Sequence, residues 1–415
     1  MYQELRAPLS VQIEVAAHDA NARDHHALAP DDAVRMLERI ALAEAFDIVI
    51  TGDEPLLWRD TLRALVDSAQ RLNLGASLCS SLAPLTDNDA AWLAASGVTA
   101  IEVPVHGPPG LHDRITGQPG SFEATAGGIR KARRAGIPVH ASMAVHQRNK
   151  HAVLETARIC EDMNVSVFKA NKAIPSGCDA CAPQPRLSTG DVAEYAHALG
   201  AAGLSMAVEV LTNFPLCGIA DTADLARHGR RCLAGVSTLT ITSDGEARPC
   251  PHTALTYGSI RESDLETIWA RMAEWRRGRF LPDICRVCPA QMLCGGGCRV
   301  EAKNAEGDLA GLDPYAQPRN LPQTIPFLRE REQAPANPPR AFSINPHRGR
   351  EETLGTVLCI PGGAPLMLSP EGARVWRQFQ PGRIYFANDP GIHWAGVEQG
   401  PFLAALERKK LISAR

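Results

Sequence analysis

The sequence predicts an α/β protein in which a partial barrel of parallel strands precedes a small metal-binding domain and a small α+β module. Short β-rich runs alternate with helix-length segments from Ser10 to about Leu211, a pattern typical of βαβ units around a parallel sheet. The alternation then stops, and "CRVCPAQMLCGGGC" places four cysteines within residues 285–298, which indicates a metal site. A proline-rich stretch at 317–340 is predicted to be a linker before the tail, residues 341–415.

The first part is expected to form a partial (β/α)6 barrel, with its functional site at the carboxyl ends of the strands. Its strands are predicted at "SVQIEV" (10–15), "DIVIT" (47–51), "GASLCS" (75–80), "VTAIEVPV" (98–105), "PVHASMAV" (138–145) and "VSVFKA" (165–170). Its helices are predicted at residues 31–45, where Asp31 or Asp32 is the expected N-cap, and at 56–72, 87–97, 121–136 and 151–163.

Composition narrows the class of protein. With 415 residues the chain is long enough for several domains, and a formal net charge of −3 argues against a nucleic-acid or acidic-membrane partner. No apolar run reaches the ~18 residues that a transmembrane helix needs. Because "MYQELRAPLS" (1–10) lacks an export-signal pattern, we expect a cytoplasmic protein, in which twelve cysteines favour metal ligation over disulfides.

The second part, residues 213–316, is expected to be held by metal rather than by a large core, with a hairpin at 239–250 and a helix at 264–278. A structural zinc site is one alternative, but such sites usually combine two short C-x2-4-C pairs. The C-x2-C-x5-C-x3-C spacing, with glycine backbone close by, favours iron–sulfur clusters instead. Together with C-x12-G-x4-C upstream, this spacing predicts as ligands Cys232, Cys250, Cys285, Cys288, Cys294 and Cys298.

These cysteine patterns resemble the SPASM domain, the auxiliary-cluster domain of radical SAM peptide-modifying enzymes. The context is similar too, at "CLAG" (232–235), "DGEARPC" (244–250) and "CPAQMLCGGGCRVEA" (288–302). Upstream, "APLSVQIEV" (7–15), "TGDEPLL" (51–57) and residues 107–139 resemble the radical SAM core. The resemblance implies a radical SAM-type barrel over residues 1–212 and one or two [4Fe–4S] auxiliary clusters in the SPASM-like domain.

The first loop of the barrel departs from that family. The family's first strand leads into C-x3-C-x2-C, whose thiolates hold the SAM-binding cluster. Here the stretch is "VAAHDANARDHH" (15–26), the matching positions are Asp19, Arg23 and His26, and no cysteine precedes Cys79. Because these three side chains cannot replace three thiolates around a cubane, we expect no 5′-deoxyadenosyl radical and a catalytically degenerate protein.

The SAM-contacting turn is altered as well. Gly52 and Glu54 match family positions that contact SAM, and they are the expected residual SAM-binding residues. Asp53 stands where the family usually has a second glycine, which crowds close backbone approach. SAM binding is therefore expected to be weak.

The resemblance also implies a missing cluster ligand. The family's last cysteine follows a "DPY" signature, and here "LDPYA" has Ala316 at that place. The cluster that uses Cys285, Cys288 and Cys294 is therefore expected to lack its usual fourth ligand. The other cluster would use the remaining cysteines of the pattern, with Cys217 or His252 as its candidate fourth ligand.

Further polar and thiol residues lie outside the family pattern. His18, Asp19, Asp24, His25 and His26 have the side chains of a mononuclear zinc or iron site and define an alternative metal site in the barrel. Cys178 and Cys181 form a C-x2-C that either ligates metal, acts as a redox pair or has no role. Cys79, Cys160 and Cys359 are expected to be core thiols.

The tail resembles a PqqD-type peptide-recognition domain at residues 350–379 and 401–413, which implies a small winged-helix-like α+β fold. Such domains bind the leader of a ribosomally made precursor peptide by adding it as a strand to an exposed sheet edge. The expected edge is "TVLCI" (356–360) or a neighbouring strand, so a proline at Val357 is expected to abolish binding.

Three hypotheses of function follow. In the first, the chain is a non-catalytic protein of peptide maturation that binds a precursor leader and partners an active radical SAM enzyme. In the second, it is an iron–sulfur electron-transfer subunit. In the third, it is an enzyme that uses the His/Asp loop as a new metal site. Survival of the SPASM cysteines beside the loss of the radical-generating ones favours the first two.

Overall fold

A nine-stranded sheet is the centre of the structure, a computed structural model that describes residues 5–16, 27–174, 185–210, 213–218, 231–320, 339, 341–387, 389–394 and 396–414. The strand order is β7-β6-β5-β4-β3-β2-β1-β8-β9, and all neighbouring pairs are parallel except β8 with β9. The strands are β1 (Ser10–Glu14), β2 (Asp47–Thr51), β3 (Gly75–Cys79), β4 (Ala100–Pro104), β5 (Val139–Val145), β6 (Val167–Lys172), β7 (Ala207–Val210), β8 (Thr238–Ile241) and β9 (Ala247–Arg248).

Helices connect the parallel strands, as the alternating sequence pattern predicts. They are α1 (Pro30–Leu42), α2 (Arg59–Arg71), α3 (Asp87–Ala95), α4 (Pro109–Thr116), α5 (Ser121–Arg134), α6 (Val153–Asp162) and α7 (Thr189–Ala201). Helix α1 buries Ala33, Met36, Leu37 and Ile40, which lie on one face at helical spacing. Along β1, Val11 and Ile13 are buried and the alternate residues are only partly covered, so the sheet has an apolar face and a more polar inner face.

The sheet has two parallel strands more than the six expected, β7 and β8. Strand β7 pairs with β6, with Phe168 beside Val208, and α7 leads into it. At the other edge β8 pairs with β1, with Val11 beside Leu239, so the predicted hairpin at 239–250 is confirmed and belongs to the main sheet. The barrel and the region after it therefore share one sheet.

The region after residue 231 has a larger core than expected. Its helices are α8 (Leu265–Arg271), α9 (Ala273–Arg276), α10 (Asp283–Arg286), α11 (Gln291–Cys294) and α12 (Arg299–Glu306). Ile268 and Trp269 of α8 are fully buried in the same hydrophobic cluster as the barrel residues, and the Trp269 indole donates to the carbonyl of Leu5 at 2.8 Å. The expectation that this region lacks a sizeable core is wrong, because it packs on the barrel's own core, and its being held by metal stays a prediction.

The C-terminal region forms two three-stranded antiparallel sheets with two helices. The strands are β10 (Ala341–Ile344), β11 (Arg348–Glu352), β12 (Gly355–Cys359), β13 (Leu366–Leu368), β14 (Ile384–Phe386) and β15 (Ile412–Ala414), and the helices are α13 (Pro370–Trp376) and α14 (Gln399–Arg408). The sheet orders are β14-β10-β15 and β11-β12-β13. Val357 therefore lies in a central, buried strand, so "TVLCI" is not the expected exposed edge, whereas the neighbouring strand β13 is at the end of the sheet.

Strand β11 fastens this C-terminal region to the amino ends of the barrel strands. The Arg350 guanidinium is fully buried and donates to the carbonyls of Ala7 and Pro8 at 2.8 and 3.0 Å, just before β1. It also donates to Glu44 at the end of α1 and pairs with Glu352. A buried arginine thus satisfies carbonyls that a helix end leaves free.

Candidate functional site

Four cysteines line one cavity at the end of the barrel region. They are Cys217, on a 3-10 turn (Leu216–Gly218), Cys285 of α10, Cys288, and Cys294 at the end of α11. Cys217 and Cys294 are buried, whereas Cys285 and Cys288 are partly exposed. Ala316 lines the same cavity. We call these four residues the first cysteine group.

The glycine run after Cys294 explains how this thiol is held. Gly295, Gly296 and Gly297 all have positive φ angles, of 67°, 78° and 81°, which residues with a side chain rarely adopt. In this conformation the N–H groups of Gly296 and Gly297 donate to the Cys294 sulfur, and Leu216 N–H donates at 3.4 Å. Burial raises the pKa of Cys294, and these N–H donors act against that effect. Such a nest of N–H groups stabilises the thiolate that an iron–sulfur cluster requires.

Cys232, Cys250 and Cys298 form the second cysteine group. Burial raises the pKa of Cys250 to about 12, and the charges of Cys232 and Cys298 add to the rise, so the three thiols are near one another. Backbone N–H groups donate to each of them, from Ala234 to Cys232 and from His252 and Thr253 to Cys250, for example. Apart from Cys217, the two groups have the members that the family resemblance implies.

Cys217 lies in the other group from the one expected. The sequence suggested it as a fourth ligand for Cys232, Cys250 and Cys298, but it lines the cavity of the first group. Burial raises the pKa of Cys217 to about 12, and the thiols of the first group add to this. Its position depends on how the 3-10 turn folds back across the chain, which sequence spacing does not reveal.

The "LDPYA" motif connects the two groups. Asp313 is fully buried and accepts from Cys298 N–H at 2.7 Å and from Tyr315 N–H at 2.9 Å. The Tyr315 ring packs on Phe214, with 5.1 Å between ring centroids, just before the turn that holds Cys217. The motif therefore keeps a structural role although its last position is alanine.

A buried ion pair holds the second group to the barrel. Lys172, the last residue of β6, donates to Glu301 of α12 at 3.0 Å, and the two side chains are 3% and 0% exposed. Arg186 approaches the other Glu301 oxygen at 3.4 Å. The His252 imidazole, the other candidate ligand, interacts electrostatically with Lys172 and Glu301.

The thiols fit iron–sulfur clusters better than a single ion. Seven thiols in two groups, several of them accepting backbone N–H bonds, are the donor set of larger clusters, whose sulfurs take such bonds.

The two expected SAM-contacting residues are already engaged within the chain. Gly52 has φ +119°, and a Cβ there would lie 2.9 Å from the Ala16 carbonyl, so only glycine fits beside β1. Glu54 accepts from the hydroxyls of Ser80 and Ser81 at 2.6 and 2.5 Å. It also accepts from the N–H groups of Ser81 and Leu56. A ligand ammonium would have to share or displace these donors, so SAM binding here remains a prediction.

Ionisable side chains line the inner face of the sheet, which the sequence reasoning missed. Cys79 lies beside Glu102, and Glu102 beside His140, across β3, β4 and β5. Lys169 of β6 donates to Glu102 at 2.5 Å and is the register partner of Glu209. The signal was the polar residue at every second position of these strands. Cys79 is therefore part of this inner face and not the core thiol expected, whereas Cys160 and Cys359 are buried as predicted.

Several predicted residues lie outside the described part of the chain. These are His18, Asp19, Arg23, Asp24, His25, His26, Cys178 and Cys181. The alternative metal site thus stays a prediction. Within the described ranges, no helix has the length and apolar character that crossing a membrane requires.

Comparisons with known proteins agree with the site. An AdoMet-dependent heme synthase of Nitratidesulfovibrio vulgaris is 25% identical over 298 residues, 66% of this chain and 80% of that protein. A PqqA peptide cyclase of Rhizobium meliloti is 24% identical over 304 residues, 71% of this chain and 80% of that protein.

A solved structure shares the fold. Streptococcus suis SuiB bound to the precursor peptide SuiA has a TM-score of 0.61 at 16% identity, covering 76% of this chain and 77% of that one. Residues 15–160 match the Radical SAM superfamily, and residues 232–289 match the SPASM iron–sulfur cluster-binding domain. These matches confirm the radical SAM and SPASM domains that the sequence resembles.

Proposed function

We propose that this chain acts in the maturation of a ribosomally synthesised peptide, where it binds the precursor leader and partners an active radical SAM enzyme. One observation supports this most directly. The SPASM-type cysteines are assembled into two groups, whereas the loop that would hold the SAM-binding cluster contains no cysteine. Selective retention of the auxiliary groups argues for a role that needs them without needing the radical.

The peptide class of ligand rests on two further features. Among the similar proteins are a PqqA peptide cyclase and a protein solved with its precursor peptide. The C-terminal sheet β11-β12-β13 ends in β13, and an edge strand can pair with an added peptide. Because strand addition suits a peptide and not a tetrapyrrole, these features favour a peptide over the ligand class suggested by the heme synthase.

Each cysteine group would hold one [4Fe–4S] cluster, and bound clusters supply one-electron chemistry. The first cluster would use Cys217, Cys285, Cys288 and Cys294, and the second Cys232, Cys250 and Cys298. The chain's own contribution is to orient the thiols. Asp313 and the N–H groups of Gly296 and Gly297 fix them, and burial excludes water from Cys217 and Cys294.

An electron-transfer subunit is the second candidate, and the surface near the first cysteine group favours it. Val287 is 82% exposed, Ile284 49% and Met292 50%, and each lies within two residues of a cysteine of that group. An exposed apolar rim beside partly exposed thiols suits a transient redox partner.

The test uses the full chain, reconstituted anaerobically with iron and sulfide. With SAM and a reductant we expect no 5′-deoxyadenosine above a no-protein control, together with micromolar binding of the precursor leader. Multiple turnovers of SAM cleavage would contradict the non-catalytic role. Absence of leader binding, with iron clusters intact, would favour the electron-transfer subunit.

The third hypothesis, a metal enzyme built on the His/Asp loop, has its own test. If it holds, His25→Ala and His26→Ala should remove a bound metal that the cysteine groups do not hold. Unchanged metal content in both variants would exclude it.

A further inference from the structure

We propose that Cys217 is the fourth ligand of the cluster held by Cys285, Cys288 and Cys294, replacing the family's cysteine at the position of Ala316. The proposal depends on the SPASM resemblance and is independent of whether the barrel cleaves SAM. Cys217 and Ala316 line the same cavity as the three cysteines, but only Cys217 has a thiol there. The fourth ligand thus has a different place in the sequence. In the family it follows the "DPY" signature, and here it lies on a turn that precedes the other six cysteines.

The turn that holds Cys217 is fastened on several sides. Asn320 donates to the Cys217 carbonyl at 2.9 Å, and Gln317 N–H donates to its sulfur. The preceding residue, Leu216, donates its N–H to the Cys294 sulfur at 3.4 Å, which joins the turn directly to another ligand of the group. Because Gln317 and Asn320 follow Ala316 closely, the segment that lost the cysteine now supports the residue that replaces it.

Close packing keeps the turn in place. A Cβ on Gly218 would lie 2.5 Å from both the Phe214 ring and the Tyr315 carbonyl, so the turn lies directly against the "DPY" segment. Cys217 is only 8% exposed. A buried thiol held beside three others by backbone contacts is poised for ligation and not merely packed in a core.

This assignment makes the two cysteine groups unequal. The first group has four thiols and can close all four corners of a cubane. The second group has three cysteines within the described ranges, which leaves one iron for another ligand. We therefore expect the first cluster to be the more resistant to chelators.

The experiment compares iron content and cluster lifetime in variants of the full chain. Cys217→Ala and the nearly isosteric Cys217→Ser should each shorten the lifetime of one cluster in anaerobic chelator about tenfold or lose about four irons per chain, the content of one cubane. Adding Ala316→Cys to Cys217→Ala should restore the wild-type values, because it returns the thiol to the family's position. Cys160→Ala, a buried core thiol on α6, is the matched control and should change neither value.

The contrary outcomes are distinct. Cys217 variants that keep wild-type iron, sulfide and chelator kinetics would overturn the proposal, as would a loss that Ala316→Cys fails to restore. Wild-type protein with stoichiometric zinc and no acid-labile sulfide would overturn it too. Far-UV circular dichroism of the metal-free proteins shows whether Cys217→Ser still folds, and none of these readouts depends on SAM cleavage or leader binding.

Discussion

At the scale of single residues, His106 shows how burial controls charge near the carboxyl ends of the barrel strands. It lies just after β4, and its ring is 5.5 Å from that of His112. Burial lowers the pKa of His106 to about 4, and His112 and His146 add to the fall. The ring is therefore neutral at physiological pH, although three histidines lie together there.

This burial predicts a pH dependence of stability. The unfolded chain binds a proton at His106 near pH ~6.5 and the folded chain only near pH 4, so stability is complete above ~6.5 and falls as the pH drops toward 4. Between pH 7 and 5 we expect wild type to lose about 1–2 kcal/mol more than His106→Gln in urea unfolding of the metal-free protein. The exposed His151→Gln should behave as wild type, and parallel pH slopes for all three proteins would contradict the argument.

The cysteines show what the sequence can and cannot reveal about the site. Spacing predicted six cysteines as ligands, and the family resemblance divided them into the same two groups that the structure shows, with the neighbouring Cys294 and Cys298 in different groups. It could not assign Cys217, whose nearest partner in the first group is 68 residues away in Cys285 (285 − 217). Contact over that distance depends on the path of the chain and not on spacing.

At the scale of elements, periodicity predicted the barrel well and the C-terminal region poorly. Helices such as α1 and α5 differ from their predictions by a few residues, since their apolar faces repeat clearly. Strand β11, "RGREE", contains no apolar residue, and its one buried position is Arg350. A strand whose buried side chain is charged has no hydrophobic pattern. Its contact with the barrel therefore follows only from the structure and not from the sequence.

The corrected strand order changes where the leader is expected to bind. In the sheet β11-β12-β13, strand β11 is docked on the barrel and β12 is central, which leaves β13 as the candidate edge. Successive N–H groups of a strand point to opposite sides. Of Leu366→Pro and Met367→Pro, one therefore removes a donor to the leader and the other a donor to β12.

We expect one of these two variants to lose leader binding with an unchanged melting temperature and the other to lower the melting temperature. Fluorescence anisotropy with a labelled leader and differential scanning fluorimetry measure the two effects. Phe386→Ser, on the exposed face of edge strand β14, is the control and should bind normally. Loss of binding in that variant alone would place the leader on β14 instead.

At the scale of the whole molecule, two buried cations attach the flanking regions to opposite ends of the barrel. Lys172 pairs with Glu301 of the SPASM region at the carboxyl ends of the strands, and Arg350 of the C-terminal region donates to the carbonyls of Ala7 and Pro8 at the amino ends. A leader bound to the C-terminal region therefore lies at the amino ends of the strands, away from the barrel's inner mouth, by which we mean the opening at their carboxyl ends. This separation favours presentation of the peptide to a partner over reaction within this barrel.

The attachment through Arg350 can be measured. Arg350 and Glu352 are 0% and 1% exposed, and the guanidinium also donates hydrogen bonds to the carbonyls of Ala7, Pro8 and Glu44. Arg350→Met removes the charged partner of a buried carboxylate, which keeps only the Arg6 N–H, and the donor of several carbonyls, so we expect a loss of about 3–5 kcal/mol. Thermal unfolding under anaerobic conditions, followed by tryptophan fluorescence, should show a clearly lower midpoint.

Two further variants decide whether the buried charge is the cause. Arg350→Met with Glu352→Gln leaves no unpaired carboxylate, so it should recover part of the lost stability. Arg374→Met removes an exposed pair with Glu371 in the same region and should cost at most ~1 kcal/mol. Should Arg350→Met prove no more harmful than Arg374→Met, the C-terminal region would not be fastened to the barrel through this contact. A leader bound there would then not be held on the side away from the inner mouth, and the case for presentation to a partner would lose its structural basis.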